Sequence, residues 1–401
     1  MLFDKKINYL VLLIASLFAG MGEISIACDE RHDNNSDCKS SEKISVSPDT
    51  DEELIRRFKI EIKNGLNEID RVLSKDSCQN SKYIVYVNSD PICCKGFKQD
   101  CSLPIGSLST QFTTYILLDI LIKKYGKDKV TDIIKTPLGK INDLQRLCSS
   151  INCSWIKDVT IHQLLSHTSG LLGYAYFQHI ISRAIISNFL FMKTNMFKVV
   201  AGLPYSQENK NLHSWHYSMF NYVIASMISE ELSGKKFGDL VEDLAKAKGL
   251  KTLANLSDGF MMRAVDSTSL YIPSKISLLP TCIIQGGMSI VVGASDWEKF
   301  TRDFLDSEIF KICLDNAICD YDGMHCYGIS CSKDDDSKVD SRFTFAKYCS
   351  LKGMLYCNKK KNLYVVCAVD SQYLWSNIFS VIDNAYDLVF NKNKRKNKRK
   401  K

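Results

Sequence analysis

Three stretches of this chain hold side chains whose types and spacing could do chemistry. Pro104–Thr113 (P-I-G-S-L-S-T-Q-F-T) sets a glycine and several hydroxyls, Ser107 among them, before an apolar run. Val159–Tyr174 (V-T-I-H-Q-L-L-S-H-T-S-G-L-L-G-Y) places His167 beside Thr168, Ser169 and Gly170. Ser214–Tyr222 (S-W-H-Y-S-M-F-N-Y) brings Tyr217 to the start of an amphipathic segment. Residue type alone gives each a modest meaning. Small hydroxyls at a helix entrance cap it, a histidine in a tight turn bonds backbone, and a tyrosine entering a helix packs. The four-residue pattern S-x-x-K occurs at Ser36/Lys39, Ser40/Lys43 and Ser233/Lys236. None of these precedes an apolar helix, and in a chain rich in Lys and Ser the pattern carries no weight.

The elements that must position these residues can be read from patterning. Leu54, Phe58, Ile62, Leu66, Ile69 and Leu73 recur at helical spacing through Asp51–Lys75. Tyr83–Asn88 reads as a strand stopped by Ser89-Asp90-Pro91, with Cys93, Cys94 and Cys101 in the loop that follows. A helix then runs through Tyr115, Leu118, Leu121 and Ile122. Thr160 caps a short helix over Ile161–Leu165, broken by Ser166–Gly170. Tyr174–Val200 is apolar and helical in pattern, and Val223–Leu232 is a helix closed by Ser233-Gly234. Phe343–Ser350, Gly353–Asn358 and Leu363–Asp370 alternate as strands, the last two joined across Lys359–Asn362, and Leu374–Phe390 is a final amphipathic helix.

Bulk properties narrow the class. The chain has 401 residues, 45% hydrophobic and 24% charged, ordinary for a folded protein. Its net charge of +7 is misleading: the tail Asn391–Lys401 holds eight Lys and Arg, and without them the body carries −1. No general basic face for nucleic acid is implied, although the tail can touch anionic surfaces. Residues 1–27 read as a secretory signal, with Lys5 and Lys6, an apolar Ile7–Phe18 and a small-x-small site at Ser25-Ile26-Ala27. Residues 28–50 form a polar linker. Sixteen cysteines behind such a signal favour disulfides in an oxidising compartment, either a secretory pathway or a periplasm. Cys313, Cys319, Cys326 and Cys331 lack the C-x-x-C pairing of a zinc site and read as disulfide staples. Three N-x-S/T sequons, at Asn34, Asn152 and Asn255, matter only in a eukaryotic secretory route. No metal or cofactor is implied.

The segment around His167 closely resembles L-L-x-H-T-S-G-L of the serine β-lactamase/penicillin-binding-protein superfamily, in the form found in class C β-lactamases, D-amino-acid carboxypeptidases and related esterases. Other segments follow in the family's order. Gly106–Thr113 looks like G-S-x-S-K-x-F-T, which implies Ser107 as the acylated nucleophile. Trp215–Tyr222 looks like F-x-Y-S-N-x-x-Y, which implies Tyr217 as proton acceptor. Gln285–Ser289 with Asp296 and Phe300 resembles a structural G-G-L-x-S…D…F segment, about two residues longer. Lys347-Tyr348-Cys349 is the nearest match to the K-T-G motif. In the family His167 is structural.

The resemblance implies an α/β (α+β) fold, an antiparallel sheet flanked by N- and C-terminal helices over residues 51–390, with an all-helical subdomain at roughly 125–285. It also exposes departures. Thr110 stands where the family has its lysine, Met219 where it has asparagine, and the third motif lacks its glycine. Loss of a positioned general base typically costs about 10²–10⁴ in rate. The sequence therefore reads as a secreted, degenerate relative, non-catalytic or strongly attenuated, that keeps a cleft for a small-molecule or peptide ligand. The alternative is an active serine hydrolase working through a Ser107 acyl-enzyme, with Tyr217 and Lys347 assisting.

Overall fold

The structure is a computed structural model that describes residues 50–73, 82–172, 196–203, 205–211, 214–256, 262–263, 285–320, 323–333, 339–340, 344–348, 351–358, 362–369 and 372–390. The signal-like segment, nearly all of the linker, the helical pattern of 173–195 and the basic tail lie outside the described residues.

The helices are α1 Asp51–Leu73, α2 Ser109–Tyr125, α3 Lys127–Lys135, α4 Gln145–Ile151, α5 Ile161–Leu165 and α6 Met196–Ala201. They continue as α7 Gln207–Asn211, α8 Phe220–Ser233, α9 Phe237–Lys248, α10 Ala294–Leu305, α11 Glu308–Asp315 and α12 Gln372–Phe390. The strands are β1 Tyr83–Val87, β2 Asp90–Lys95, β3 Leu103–Pro104, β4 Ala254–Leu256, β5 Met262–Arg263 and β6 Ile290–Val292. Then come β7 Ile318–Asp320, β8 Gly323–Cys326, β9 Ile329–Lys333, β10 Val339–Asp340, β11 Thr344–Tyr348, β12 Leu351–Asn358 and β13 Leu363–Val369. The chain divides into two compact units, one carrying Asn80–Trp375 and the other carrying α1 and α12 from Ser376 onward.

In the helical unit, the apolar stripe of α1 supplies Phe58, Ile62 and Leu66, all buried. Phe58 meets Tyr386 and Phe390 of α12 edge-on and tilted, at 6.5 and 5.7 Å between centroids. Gly65 lets the two helices approach, since a Cβ there would lie 2.6 Å from Val381 Cγ1.

The larger unit holds three antiparallel sheets among the described residues, in strand order β11-β12-β13-β1-β2, β10-β9-β8-β7 and β3-β6-β4-β5. β1 and β13 are buried throughout, which explains their unbroken apolar composition. Ile84 pairs with Ala368 and Val85 with Cys367. Cys93 and Cys94 differ from the loop that the sequence suggests: they lie on β2, an edge strand paired with β1. Pro91 is tolerated there because it sits at an edge, beside the register shift between Val85 and Tyr86.

The staple reading of the clustered cysteines is not met where it can be examined. Cys313 and Cys326 are buried free thiols, as are Cys101, Cys148 and Cys367, while Cys94 and Cys153 are free and half-buried. Burial, with the neighbouring Cys326 thiol, pushes Cys313 up.

Helix α2 is the spine of this unit. Phe112, Leu117, Leu118 and Leu121 are fully buried, and Phe112 stacks on Phe300 of α10 at 3.9 Å. Helix α10 is tied to the strand ends by Glu298, whose carboxylate accepts from the Ser89 N–H and from Arg302 Nη2 at 2.9 Å. Arg302 in turn lies 3.9 Å over the Tyr364 ring and donates to Asn362. Burial raises the Glu298 carboxyl against the opposing pull of Arg302. Replacing Glu298 by Ala strips the Ser89 N–H and Arg302 of an acceptor. Urea unfolding should show a loss of about 2 kcal/mol, and Glu298→Gln should recover part of it.

Candidate active site

Ser107 is the central residue of a single 3₁₀ turn, Gly106–Leu108, which feeds directly into α2. Gly106 has φ 57°, a left-handed conformation suited to glycine. The first bond of the turn is Leu108 N to Ile105 O at 3.2 Å, so the Ser107 N–H precedes it and takes no part in the turn's own bonds. Ser107 is partly exposed while its flanks, Gly106 and Leu108, are buried. Ser109 anchors the turn: its Oγ donates to Gly106 O at 2.6 Å and accepts from Ile290 N at 3.0 Å.

Thr110 lies one turn into α2. Its Oγ1 donates to Ser107 O at 2.8 Å and lies 3.4 Å from Gly328 O. The space beyond it is filled by the β8–β9 hairpin. Tyr327 and Gly328 form a two-residue turn with both φ values positive, 37° and 84°. A Cβ on Gly328 would fall 2.9 Å from Thr110 Oγ1 and 3.0 Å from Gln111 N. Thr114 Oγ1 donates to Tyr327 O at 3.0 Å, and the Tyr327 hydroxyl meets His162 Nδ1 at 2.7 Å. The volume that a lysine side chain at position 110 would enter is thus occupied by backbone. The sequence marks this turn only faintly. Its one signal is the Y-G pair between short alternating runs, the mark of a tight hairpin.

The Tyr217 hydroxyl is fully enclosed and meets no hydrogen-bond partner, although the residue as a whole is partly exposed. Burial pushes it up to about 12, opposed by the neighbouring Ser107 side chain, which lies close without reaching hydrogen-bond geometry. The structure therefore brings Ser107 and Tyr217 together. Lys347 lies on β11 opposite Lys352, and β11 runs beside the Gly106–Leu108 turn. Met219 directs its side chain into the apolar core, 6% exposed, against the Gly286-Gly287 turn. Cys349 lies outside the described residues.

His167 holds the segment that carries Tyr217. Its φ of 58° is left-handed, unusual for a residue with a Cβ. Its Nδ1 accepts from Ser218 N at 3.3 Å and Asn221 Nδ2 at 3.0 Å, which leaves the ring proton on Nε2. Its carbonyl accepts from His216 N at 2.9 Å. Asn221 Oδ1 accepts from Ser169 Oγ at 2.6 Å, so this amide faces the His-Thr-Ser-Gly turn and not Ser107. The turn itself leaves α5 through a capping box between Thr160 and Gln163. Burial, with His325 nearby, lowers the His167 imidazole to about 3. These bonds give His167 a structural place.

The Beta-lactamase family model matches residues 113–254. Solved structures share the fold across most of the chain. The D-stereospecific amidohydrolase from Streptomyces sp. is 14% identical with a TM-score of 0.56, covering 79% of this chain and 94% of that one. The D-amino acid amidase from Ochrobactrum anthropi SV3 is 14% identical at 0.56, covering 84% and 99%. The octameric penicillin-binding protein homologue from Pyrococcus abyssi is 14% identical at 0.54, covering 82% and 77%. No curated protein sequence gives a significant match. The fold is β-lactamase/transpeptidase-like. Residues 113–254 match the Beta-lactamase family model, and the likeness to these structures is one of fold.

Two outcomes follow from this geometry. Thr110→Lys should not create a base beside Ser107, because the new side chain must displace the Tyr327–Gly328 turn. Calorimetry should show a destabilisation of about 1–3 kcal/mol with no gain in Ser107 reactivity. The His167 imidazole titrates near 6.5 when unfolded and near 3 when folded, so its contribution is complete above pH 6.5 and is lost as pH falls toward 3. Between pH 7 and 4.5 the wild type should lose about 3 kcal/mol more than His167→Asn in urea titrations.

Proposed function

We propose that this chain is an exported superfamily member that keeps a ligand-binding cleft at Ser107 while its acyl-transfer chemistry is strongly attenuated. The observation that carries the reading is Thr110, bonded to Ser107 O and covered by the Tyr327–Gly328 turn where an amine would have to stand. For serine to attack a carbonyl, its proton must pass to a base in the transition state. Tyr217 is a poor acceptor. With its hydroxyl pushed up to about 12 by burial, roughly one molecule in 10⁵ carries the phenolate at pH 7. At neutral pH the hydroxyl acts as a donor, able to bind a ligand oxygen beside Ser107. The Ser107 N–H, ahead of the first bond of its turn, can offer a second donor to the same oxygen.

The ligand class follows from the same features together with relatives named for D-amino acid amides: a small acylated or peptide-like D-amino acid derivative. The signal-like N-terminus and the cysteine count support export, and the tail supports contact with anionic surfaces. A second reading, an active hydrolase with Ser107 as nucleophile and Tyr217 and Lys347 sharing the proton, is favoured by the closeness of Tyr217 to Ser107.

The two readings separate on reactivity. A fluorophosphonate probe on the full chain should label Ser107 at least about 10²-fold more slowly than it labels an active superfamily hydrolase. Rapid labelling and ester turnover, both abolished by Ser107→Ala, would instead establish the active hydrolase.

A further inference from the structure

Two residues before Tyr217 stands Trp215, at the position where the family pattern carries phenylalanine. The exchange adds one functional group, an indole N–H. Trp215 Nε1 is fully enclosed and meets no acceptor, as does the Tyr217 hydroxyl. Buried donors of this kind are rare in folded proteins, because each forfeits its hydrogen bonds to water. Two of them stand on one three-residue stretch, beside the nucleophile position.

The indole is also held in place. Its ring stacks on His325 of β8 at 4.7 Å and 18°, and meets the His167 ring edge-on at 6.0 Å. The Tyr217 ring lies 6.4 Å away, and the backbone on either side of His216 is pinned through His167. Like Ser107 and Tyr217, Trp215 is partly exposed as a residue, while its Nε1 and the Tyr217 hydroxyl are enclosed. A donor fixed by packing loses little entropy when it bonds a ligand. Position 219 cannot supply an amide here, because Met219 is turned into the core.

We propose that Trp215 is a ligand-binding residue whose indole N–H donates to a carbonyl oxygen of the bound molecule, outside the group presented to Ser107. The ligand class is an N-acyl or peptidyl compound, whose additional carbonyl supplies that acceptor. This rests on the cleft-binding reading above. It adds to it the requirement for a second carbonyl.

The test uses the full chain carrying Ser107→Ala, so that no probe is consumed, with its four tryptophans labelled with ¹⁵N. N-acetyl-D-phenylalanine methyl ester is the acylated probe, and methyl 3-phenylpropanoate lacks the acylamino group. The acylated ester should move the Trp215 indole resonance downfield, and methyl 3-phenylpropanoate should leave it in place. Trp215→Phe restores the family residue and keeps the ring packing. It should weaken the acylated ester about three- to tenfold and leave the other ester unchanged. If the acylated ester binds with the indole resonance unmoved and equal affinity for Trp215→Phe, the Trp215 assignment fails while the cleft reading stands. If neither ester binds the parent protein, both fail together. The resonance is read without any change at position 215 other than the one that assigns it, so misfolding of Trp215→Phe cannot mimic success.

Discussion

The surroundings of Ser107 depend on one close approach, that of the Tyr327–Gly328 turn to the first turn of α2. Only glycine fits, because a Cβ at 328 would meet Thr110 Oγ1 and backbone at 2.9 Å. That contact fixes several others. Thr110 is held against Ser107 O, Thr114 donates to Tyr327 O, and the Tyr327 hydroxyl reaches His162 on α5. The same hairpin carries His325, which stacks on Trp215. Protein interiors pack at crystal density, so a turn seated this closely cannot coexist with a long flexible amine in the same volume. The missing lysine is therefore more than a substitution at one position. The neighbouring structure has closed over its site.

His167 imposes the second constraint, and it works by remaining neutral. An imidazole that accepts two N–H bonds at Nδ1 and lies buried among Trp215, Tyr217 and Tyr222 has no counter-charge to support a proton. It holds the segment that carries Tyr217 in a fixed direction. Tyr217 is then enclosed by the same packing, and burial favours its phenol over its phenolate. Thr110, one turn into α2, is a hydroxyl bonded to backbone and brings no charge that would reverse this balance.

The sequence is most legible where local geometry demands particular residues. Thr160 and Gln163 form the capping box, Gly170 adopts φ 87°, and Gly286 approaches Tyr222 O too closely for any side chain. The family segment at 159–174 is of this kind, which is why it identifies the fold and carries little of the chemistry. Strands β1 and β13 are equally plain, since both are buried along their length. β2 and the β7–β10 sheet escape notice. They are short, and rich in Cys, Asp, Gly, His and Ser, residues with weak strand preference, so their pairing is set by neighbours and not by pattern. The loss of the lysine can be read from residue 110 alone. What replaced it lies 218 residues away and can be read only in three dimensions.

The differences from the family pattern then form one arrangement and not three separate losses. Thr110 bonds backbone, Met219 fills core, and the hairpin that covers Thr110 also buttresses Trp215. Random decay of a catalytic site tends to leave cavities and unpaired groups of no consistent kind. Around Ser107 the unpaired groups include two donors three residues or fewer apart, the Tyr217 hydroxyl and the Trp215 N–H, held by stacked rings. Thr110, the hairpin over it and the two enclosed donors are thus parts of one packed arrangement.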